Sequence, residues 1–94
     1  MGVEILDEVF AVIEDRRENP KRGSYVAGLL GKGEGAIFAK IEEESDELIE
    51  AGKGSDEQAI VHEAADLIFH VMVLLAAKGI KLDDVMAEFK RRRK

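Results

Sequence analysis

The longest apolar segment of the chain runs from Ala59 to Ala77 and reads AIVHEAADLIFHVMVLLAA. Glu63, Asp66 and His70 interrupt it at spacings of three and four residues. On an α-helix, at about 100° per residue, these three side chains fall within an arc of about 60°. Because a carboxylate is costly to remove from water, a polar stripe on an otherwise buried helix needs a compensating group. A bound metal ion is the simplest such group.

Helical periodicity also marks both ends of the chain. A first helix is predicted from Glu4 to Glu18, because Asn19-Pro20 follows and proline stops a helix. A last helix is predicted from Leu82 to about Arg92. It ends in the basic segment KRRRK, whose positive charges suit a helix C terminus. The apolar faces of these helices are expected to contain Ile5, Val9, Val12 and Ile13 in the first, and Val85, Met86 and Phe89 in the last.

The middle of the chain predicts a helical hairpin. One helix, from about Gly35 to Ala51, precedes Gly52 and Gly54, and the next is expected to begin at Ser55, which with Gln58 matches a capping box. Gly79 would end that second helix as its C-cap. The short connection favours antiparallel packing. The wide apolar face of the first helix is formed by Ile37, Phe38, Ile41, Leu48 and Ile49.

Residues 19–35 are predicted as a long loop, with at most one helical turn around Val26 to Leu30. The segment is rich in glycine and contains Ser24, Tyr25 and Lys32. Loops of this length in compact domains are usually functional or disordered, and anion-binding side chains favour the first alternative. No strand pattern competes, so the sequence predicts one all-α domain, residues 1–94, of antiparallel helical hairpins forming a bundle.

Acidic residues also lie on the apolar face of the helix that starts near Gly35. With Glu44 at 0° on a helical wheel, Ile37 falls near 20°, Glu47 near 300° and Lys40 near 320°, at about 100° per residue. Glu44 and Glu47 would therefore face Glu63 and Asp66 across the hairpin. Oxygen ligands of this kind suit Mg²⁺ or Mn²⁺, whereas zinc is disfavoured by the absence of cysteine and of a two-histidine spacing.

Composition narrows the classes of function further. At 94 residues the core is small, so dimerisation would help to complete it. With no cysteine, disulfide scaffolds and cysteine nucleophiles are excluded, and a cytoplasmic location is expected. A net charge of −6 disfavours nucleic-acid binding. Acids interrupt both the N-terminal segment and the long apolar run, which argues against a signal peptide and a membrane span.

These motifs together resemble the phosphoribosyl-ATP pyrophosphohydrolase family of histidine biosynthesis, within the all-α NTP pyrophosphohydrolase superfamily. The resemblance lies in Glu44-x-x-Glu47 followed by Glu63-x-x-Asp66, and in the segments Gly23-Ser24-Tyr25 and Glu63-Ala64-Ala65-Asp66-Leu67. It implies Mg²⁺-dependent hydrolysis of phosphoribosyl-ATP at the α–β phosphoanhydride, giving phosphoribosyl-AMP and pyrophosphate, in an all-α homodimer.

The resemblance also suggests roles for individual residues. Four carboxylates would be metal ligands, and three would take part in catalysis by binding the ion or positioning water. Charge and place further suggest substrate contacts from the loop and from Lys40, and a supporting role for His70. The metal ligands are Glu44, Glu47, Glu63 and Asp66; the catalytic carboxylates are Glu43, Glu44 and Glu47; the substrate-binding residues are Ser24, Tyr25, Lys32 and Lys40.

Other interpretations remain open at the level of sequence. Any acidic run on a helix can be a solvated face, His70 can be a core histidine with a satisfied hydrogen bond, and His62 is expected at the surface. A housecleaning nucleoside triphosphate pyrophosphohydrolase would have the same acid pairs. A non-catalytic helical dimerisation module is the alternative from another class, in which the polar stripe serves partner specificity.

Overall fold

The structure, a computed structural model, describes residues 2–93. Within that range all regular structure is α-helical, which confirms the predicted fold class. The first and last helices have the predicted bounds, but residues 2–93 form five helices where the sequence predicts four. The helices are α1 (Glu4–Glu18), α2 (Tyr25–Gly31), α3 (Glu34–Lys53), α4 (Glu57–Ala77) and α5 (Leu82–Arg92). Of the basic end KRRRK, Lys94 lies outside the described residues.

The segment predicted as a loop is largely helical. Ser24 is the N-cap of α2, where its hydroxyl oxygen accepts a hydrogen bond from the backbone N–H of Ala27 at 3.2 Å. Gly33, with φ of 94°, separates α2 from α3, and only glycine adopts this conformation without strain. The predicted single turn is therefore a seven-residue helix. Its high glycine content weakened the helical signal in the sequence.

The N terminus of α4 corrects one prediction. The N-cap is Asp56 and not Ser55, because the Asp56 Oδ1 atom accepts from the backbone N–H groups of Gln58 and Ala59 at 3.1 and 3.2 Å. A carboxylate at this place also interacts favourably with the helix dipole. At the other end the C-cap is Lys78 and not Gly79 as predicted; Gly79, with φ of 72°, is the next residue and ends the helix in the left-handed conformation that favours glycine.

Helices α3 and α4 form the predicted antiparallel hairpin, and their packing is the most extensive in the molecule. Near the turn Glu47 contacts Glu63, and at the open end Lys78 Nζ lies 2.8 Å from Glu34 Oε1. These two contacts fix the register of the hairpin. The turn of α3 that contains Glu47 is thereby placed beside the polar stripe of α4.

The core lies where α1 and α2 pack against this hairpin. Some residues expected in it are exposed instead: Val12 on α1, Phe38 and Ile49 on α3, and Phe89 on α5. The helices offer wider apolar faces than one chain of this size can cover, so a wheel alone overestimates burial. The buried apolar residues are Phe10, Ile13, Val26, Leu29, Ile37, Met72, Val73, Ala76 and Leu82.

Helix α4 is long and apolar enough to cross a membrane if only its length and composition are considered, with a mean hydropathy of 1.8. One such helix is weak evidence, since the core helix of a soluble protein has the same properties. Glu63 and Asp66 lie in the first half of α4 and would be costly in lipid. In the structure both carboxylates belong to the acidic site described next.

Candidate active site

The α3–α4 hairpin brings together two groups of possible metal ligands. On α3 the carboxylates of Glu43, Glu44 and Glu47 each offer an oxygen within 4.8 Å of the others. On α4 a second group contains Glu63 and Asp66, and its possible ligand atoms also lie within 4.8 Å of one another. All four predicted metal ligands are therefore found in these two groups. The spacing of three residues on each helix places each pair on one face.

A direct contact links the two groups. The carboxyl of Glu47 forms a hydrogen bond with that of Glu63, and this bond is the main cause that raises the pKa of Glu47 above its ordinary value. Desolvation and repulsion from the Glu63 charge act in the same direction. Two carboxylates so close together favour sharing a proton or binding a cation. The predicted facing of the acids across the hairpin is thus confirmed at this pair.

Two carboxylate oxygens of the site lack any hydrogen-bond partner although they are buried: Glu44 Oε2 on α3 and Glu63 Oε2 on α4. The Glu44 residue as a whole is only 5% exposed. Buried polar atoms are nearly always paired, because an unpaired one costs about 1–3 kcal/mol, and more when charged. Each of these oxygens belongs to one of the two ligand groups, and carboxylate oxygens are the ligands that hard divalent cations prefer.

Lys40 lies one helical turn before Glu43 and Glu44 on α3 and partly neutralises their negative charge. Its Nζ atom lies 3.4 Å from Glu44 Oε1 and 3.5 Å from Glu43 Oε2. Burial acts to lower the pKa of Lys40, but the hydrogen bond to Glu44 and the neighbouring charges outweigh it, so the pKa is raised. Lys40 therefore remains charged beside the site. It neutralises one Glu44 oxygen and leaves the other without a partner.

Helix α2 contributes Tyr25, whose hydroxyl reaches His70 across 45 positions of sequence. The His70 Nδ1 atom lies 2.8 Å from the main-chain oxygen of Asp66, which only accepts, so Nδ1 carries the proton. The Tyr25 hydroxyl forms a hydrogen bond with His70 Nε2 at 2.7 Å. His70 is 5% exposed and makes the satisfied hydrogen bonds of a buried histidine, with the main chain and not the carboxylate of Asp66.

The pKa of Tyr25 shows that its hydroxyl lies within the field of the acidic site. Desolvation is the main cause that raises this pKa; Lys40 lowers it, while the charges of Glu44, Glu43 and Asp66 raise it further. The Tyr25 ring packs edge-on against that of His70, with centroids 5.7 Å apart. Tyr25 is thus both an anchor of α2 and a neighbour of the carboxylates.

Three of the predicted substrate-binding residues meet at one cavity, on α2 and its flanking turns. The cavity has a volume of about 300 Å³ and is lined by Gly23, Ser24, Tyr25, Gly28, Leu29 and Lys32. Lys40, the fourth predicted residue, lies apart from this cavity and beside the acids. Tyr25 is the residue shared by the cavity and the surroundings of the acidic site.

His62 was expected only as a surface residue, and the structure adds a contact to that description. Its side chain is 71% exposed, yet Nε2 lies 3.3 Å from Asp66 Oδ2. His62 therefore joins Glu63 and Asp66 in the second ligand group. The signal in the sequence was the spacing of four residues between His62 and Asp66, which places both on one helix face.

Comparisons with known proteins agree with one another. Residues 6–93 match the family model described as phosphoribosyl-ATP pyrophosphohydrolase. A protein of Methanocella arvoryzae named phosphoribosyl-ATP pyrophosphatase is 55% identical, over 97% of this chain and 98% of its own length. Proteins with the same name from Methanococcoides burtonii, at 50% identity, and Sulfurisphaera tokodaii, at 43%, cover 95% and 100% of this chain and 92% and 100% of their own.

Proposed function

This chain belongs to the phosphoribosyl-ATP pyrophosphohydrolase family, and from that premise we propose that it hydrolyses phosphoribosyl-ATP to phosphoribosyl-AMP and pyrophosphate in histidine biosynthesis. The observation that carries the proposal is the pair of buried, unpartnered carboxylate oxygens, Glu44 Oε2 and Glu63 Oε2. A divalent cation bound by these carboxylates would provide the partner that such oxygens lack. Phosphoanhydride hydrolysis is a reaction that needs such a cation beside carboxylates.

Glu44, Glu47, Glu63 and Asp66 are the proposed ligands of Mg²⁺, or of Mn²⁺ as the alternative. When bound, such an ion neutralises phosphate charge and makes water more acidic. The contact between Glu47 and Glu63, which raises the Glu47 pKa mainly through a hydrogen bond and further through desolvation and repulsion, supports this assignment, because a cation would stabilise two carboxylates placed so close together. His62 beside Asp66 would keep that carboxylate oriented.

Glu43 is proposed to position the attacking water. Two acids of the α3 group contact Lys40, and Glu43 is more exposed than the other, Glu44. Its carboxylate would accept a proton while the water oxygen bonds to a phosphorus of the α–β anhydride. The bridging P–O bond breaks, its electron pair stays on the bridging oxygen of the leaving group, and the products are phosphoribosyl-AMP and pyrophosphate. Glu44 and Glu47 complete the catalytic carboxylates by holding the ion.

Binding of the anionic substrate requires local cations in a chain of net charge −6. Lys40 lies beside the acids, and Ser24, Tyr25 and Lys32 share the cavity on α2. We propose that these four residues contact phosphoribosyl-ATP, with the two lysines and Ser24 binding its phosphates. His70 supports the arrangement, because its hydrogen bonds to Tyr25 and to the main chain of Asp66 connect α2 to the ligand helix.

A homodimer is proposed as the functional form, in the cytoplasm and without nucleic-acid or membrane partners. Helix α4 leaves Val61, Ile68 and Val71 exposed, and α5 leaves Met86 and Phe89 exposed. Large exposed apolar faces are typical of protein interfaces. The expected result is a dimer mass at micromolar concentration in sedimentation equilibrium; a monomer under these conditions would contradict the proposal.

The activity is tested by incubating the purified chain with phosphoribosyl-ATP and measuring pyrophosphate release with Mg²⁺, with EDTA and with ATP in place of the substrate. Release that requires the divalent ion and is specific for phosphoribosyl-ATP is expected. Equal turnover of ATP and other nucleotides would favour a housecleaning pyrophosphohydrolase. No turnover of any nucleotide would favour a non-catalytic helical module.

A further inference from the structure

Lys32 differs from most of the lysines that surround the hairpin. Lys40, Lys53, Lys78 and Lys81 each form an ion pair with a glutamate. Among residues 2–93 no such pair involves Lys32, which lies in the wall of the cavity on α2. In a chain with 20 acids against 14 bases, an uncompensated lysine in a concave site is suited to an external anion.

Gly28 forms part of the wall of the same cavity. It lies inside α2 and has no positive φ. A Cβ atom added there would meet nothing within 4 Å, so the packing of the protein does not require glycine. Glycine inside a helix is about 0.5–1 kcal/mol less favourable than alanine. Because position 28 has no side chain, the backbone of α2 is open to the cavity at this point.

The cavity is connected to the acidic site through Tyr25. One side of this residue lines the cavity, and its hydroxyl is hydrogen-bonded to His70, one helical turn from Asp66. An elongated ligand that places a phosphoanhydride at the carboxylates can therefore extend past Tyr25 toward Lys32. Phosphoribosyl-ATP has a phosphate at each end, one in the triphosphate and one on the additional ribose, whereas ATP lacks the second.

We propose that the cavity on α2 is the subsite for the phosphate of the phosphoribosyl group, and that it thereby distinguishes phosphoribosyl-ATP from ATP. Lys32 supplies the positive charge. Ser24 donates its hydroxyl proton, which is free because its oxygen is the acceptor for Ala27 N–H. Gly28 leaves room for the phosphate against the helix. This inference rests on the proposed function, since it assigns one end of that substrate.

Lys32→Met and Gly28→Ala test the subsite, with Lys53→Met and Gly52→Ala as matched controls away from the cavity. Lys32→Met is expected to raise KM for phosphoribosyl-ATP by about tenfold to a hundredfold, because a charge-assisted hydrogen bond is lost. Gly28→Ala should raise KM in the same direction without lowering Tm. For both variants the inhibition constant of ATP as a competitor should stay within about twofold of the wild-type value.

Two results would overturn the assignment. If KM of Lys32→Met stays as close to wild type as KM of the controls, Lys32 does not contact the substrate. If the inhibition constant of ATP rises as much as KM does, the cavity binds the triphosphate instead. Ribose 5-phosphate serves as a probe that needs no turnover: in a calorimetric or NMR titration, saturable binding to wild type and its loss in Lys32→Met are expected, and absence of wild-type binding contradicts the proposal. Failure of the wild type to hydrolyse phosphoribosyl-ATP would count against the proposed function alone.

Discussion

Glu63→Gln is expected to lower kcat/KM for phosphoribosyl-ATP by about a thousandfold while the protein stays folded. The change removes one negative charge from a site whose oxygens are to hold a divalent cation, and losses of this size follow removal of one electrostatic group from a catalytic site. Without the ion, the variant also relieves the repulsion between Glu63 and Glu47. Its Tm in EDTA should therefore equal or exceed that of the wild type.

The matched variants sharpen this experiment. Glu44→Gln removes the other carboxylate with an unpartnered oxygen and should behave in the same way, whereas Glu42→Gln, on an exposed position of α3, should retain activity. Addition of Mg²⁺ should raise the Tm of the wild type but not that of Glu63→Gln, because only a ligand that binds the folded state stabilises it. Full activity in Glu63→Gln would refute the carboxylate site.

Ile13→Ala is expected to destabilise the protein by about 2–5 kcal/mol, because it opens a cavity at a residue with 0% exposure. The free energy of unfolding of such domains is only about 5–15 kcal/mol, so the substitution removes a large part of it. The expected result is a much lower urea midpoint with an unchanged slope.

Val12→Ala is the control for Ile13→Ala on the same helix. Val12 and Ile13 are adjacent in sequence, but Val12 is 50% exposed. A surface substitution should change the free energy of unfolding by about 0.5 kcal/mol or less. An effect of Val12→Ala as large as that of Ile13→Ala would show that a second copy of the chain covers this face of α1.

The positions of most helices follow from local features of the sequence. Asn19-Pro20 ends α1, Gly79 ends α4, and the 3.6-residue periodicity places Glu44 within the apolar face of α3. These features act through the backbone of a few adjacent residues, so they can be recognised without tertiary contacts. The same holds for the spacing that places Glu63 and Asp66 on one face of α4.

Competition between similar local signals is harder to resolve. Ser55 and Asp56 are both good N-cap residues, and the backbone N–H groups of α4 bind the Asp56 carboxylate. Glycines at positions 28, 31 and 33 argued for a loop, yet Val26 and Leu29 are buried and stabilise a short helix there. In both places packing or a small energy difference determined the local structure.

By itself the sequence determined the all-α class, the α3–α4 hairpin and the two acid pairs, because helical periodicity and turn residues act over short separations. Only the tertiary structure decided which side chains meet across the chain. It brought Tyr25 to His70, connected Glu47 to Glu63, and left Glu44 Oε2 buried without a partner. These contacts depend on how the helices pack. A helical wheel shows on which face of its helix a side chain lies, but not which residue of another helix it contacts.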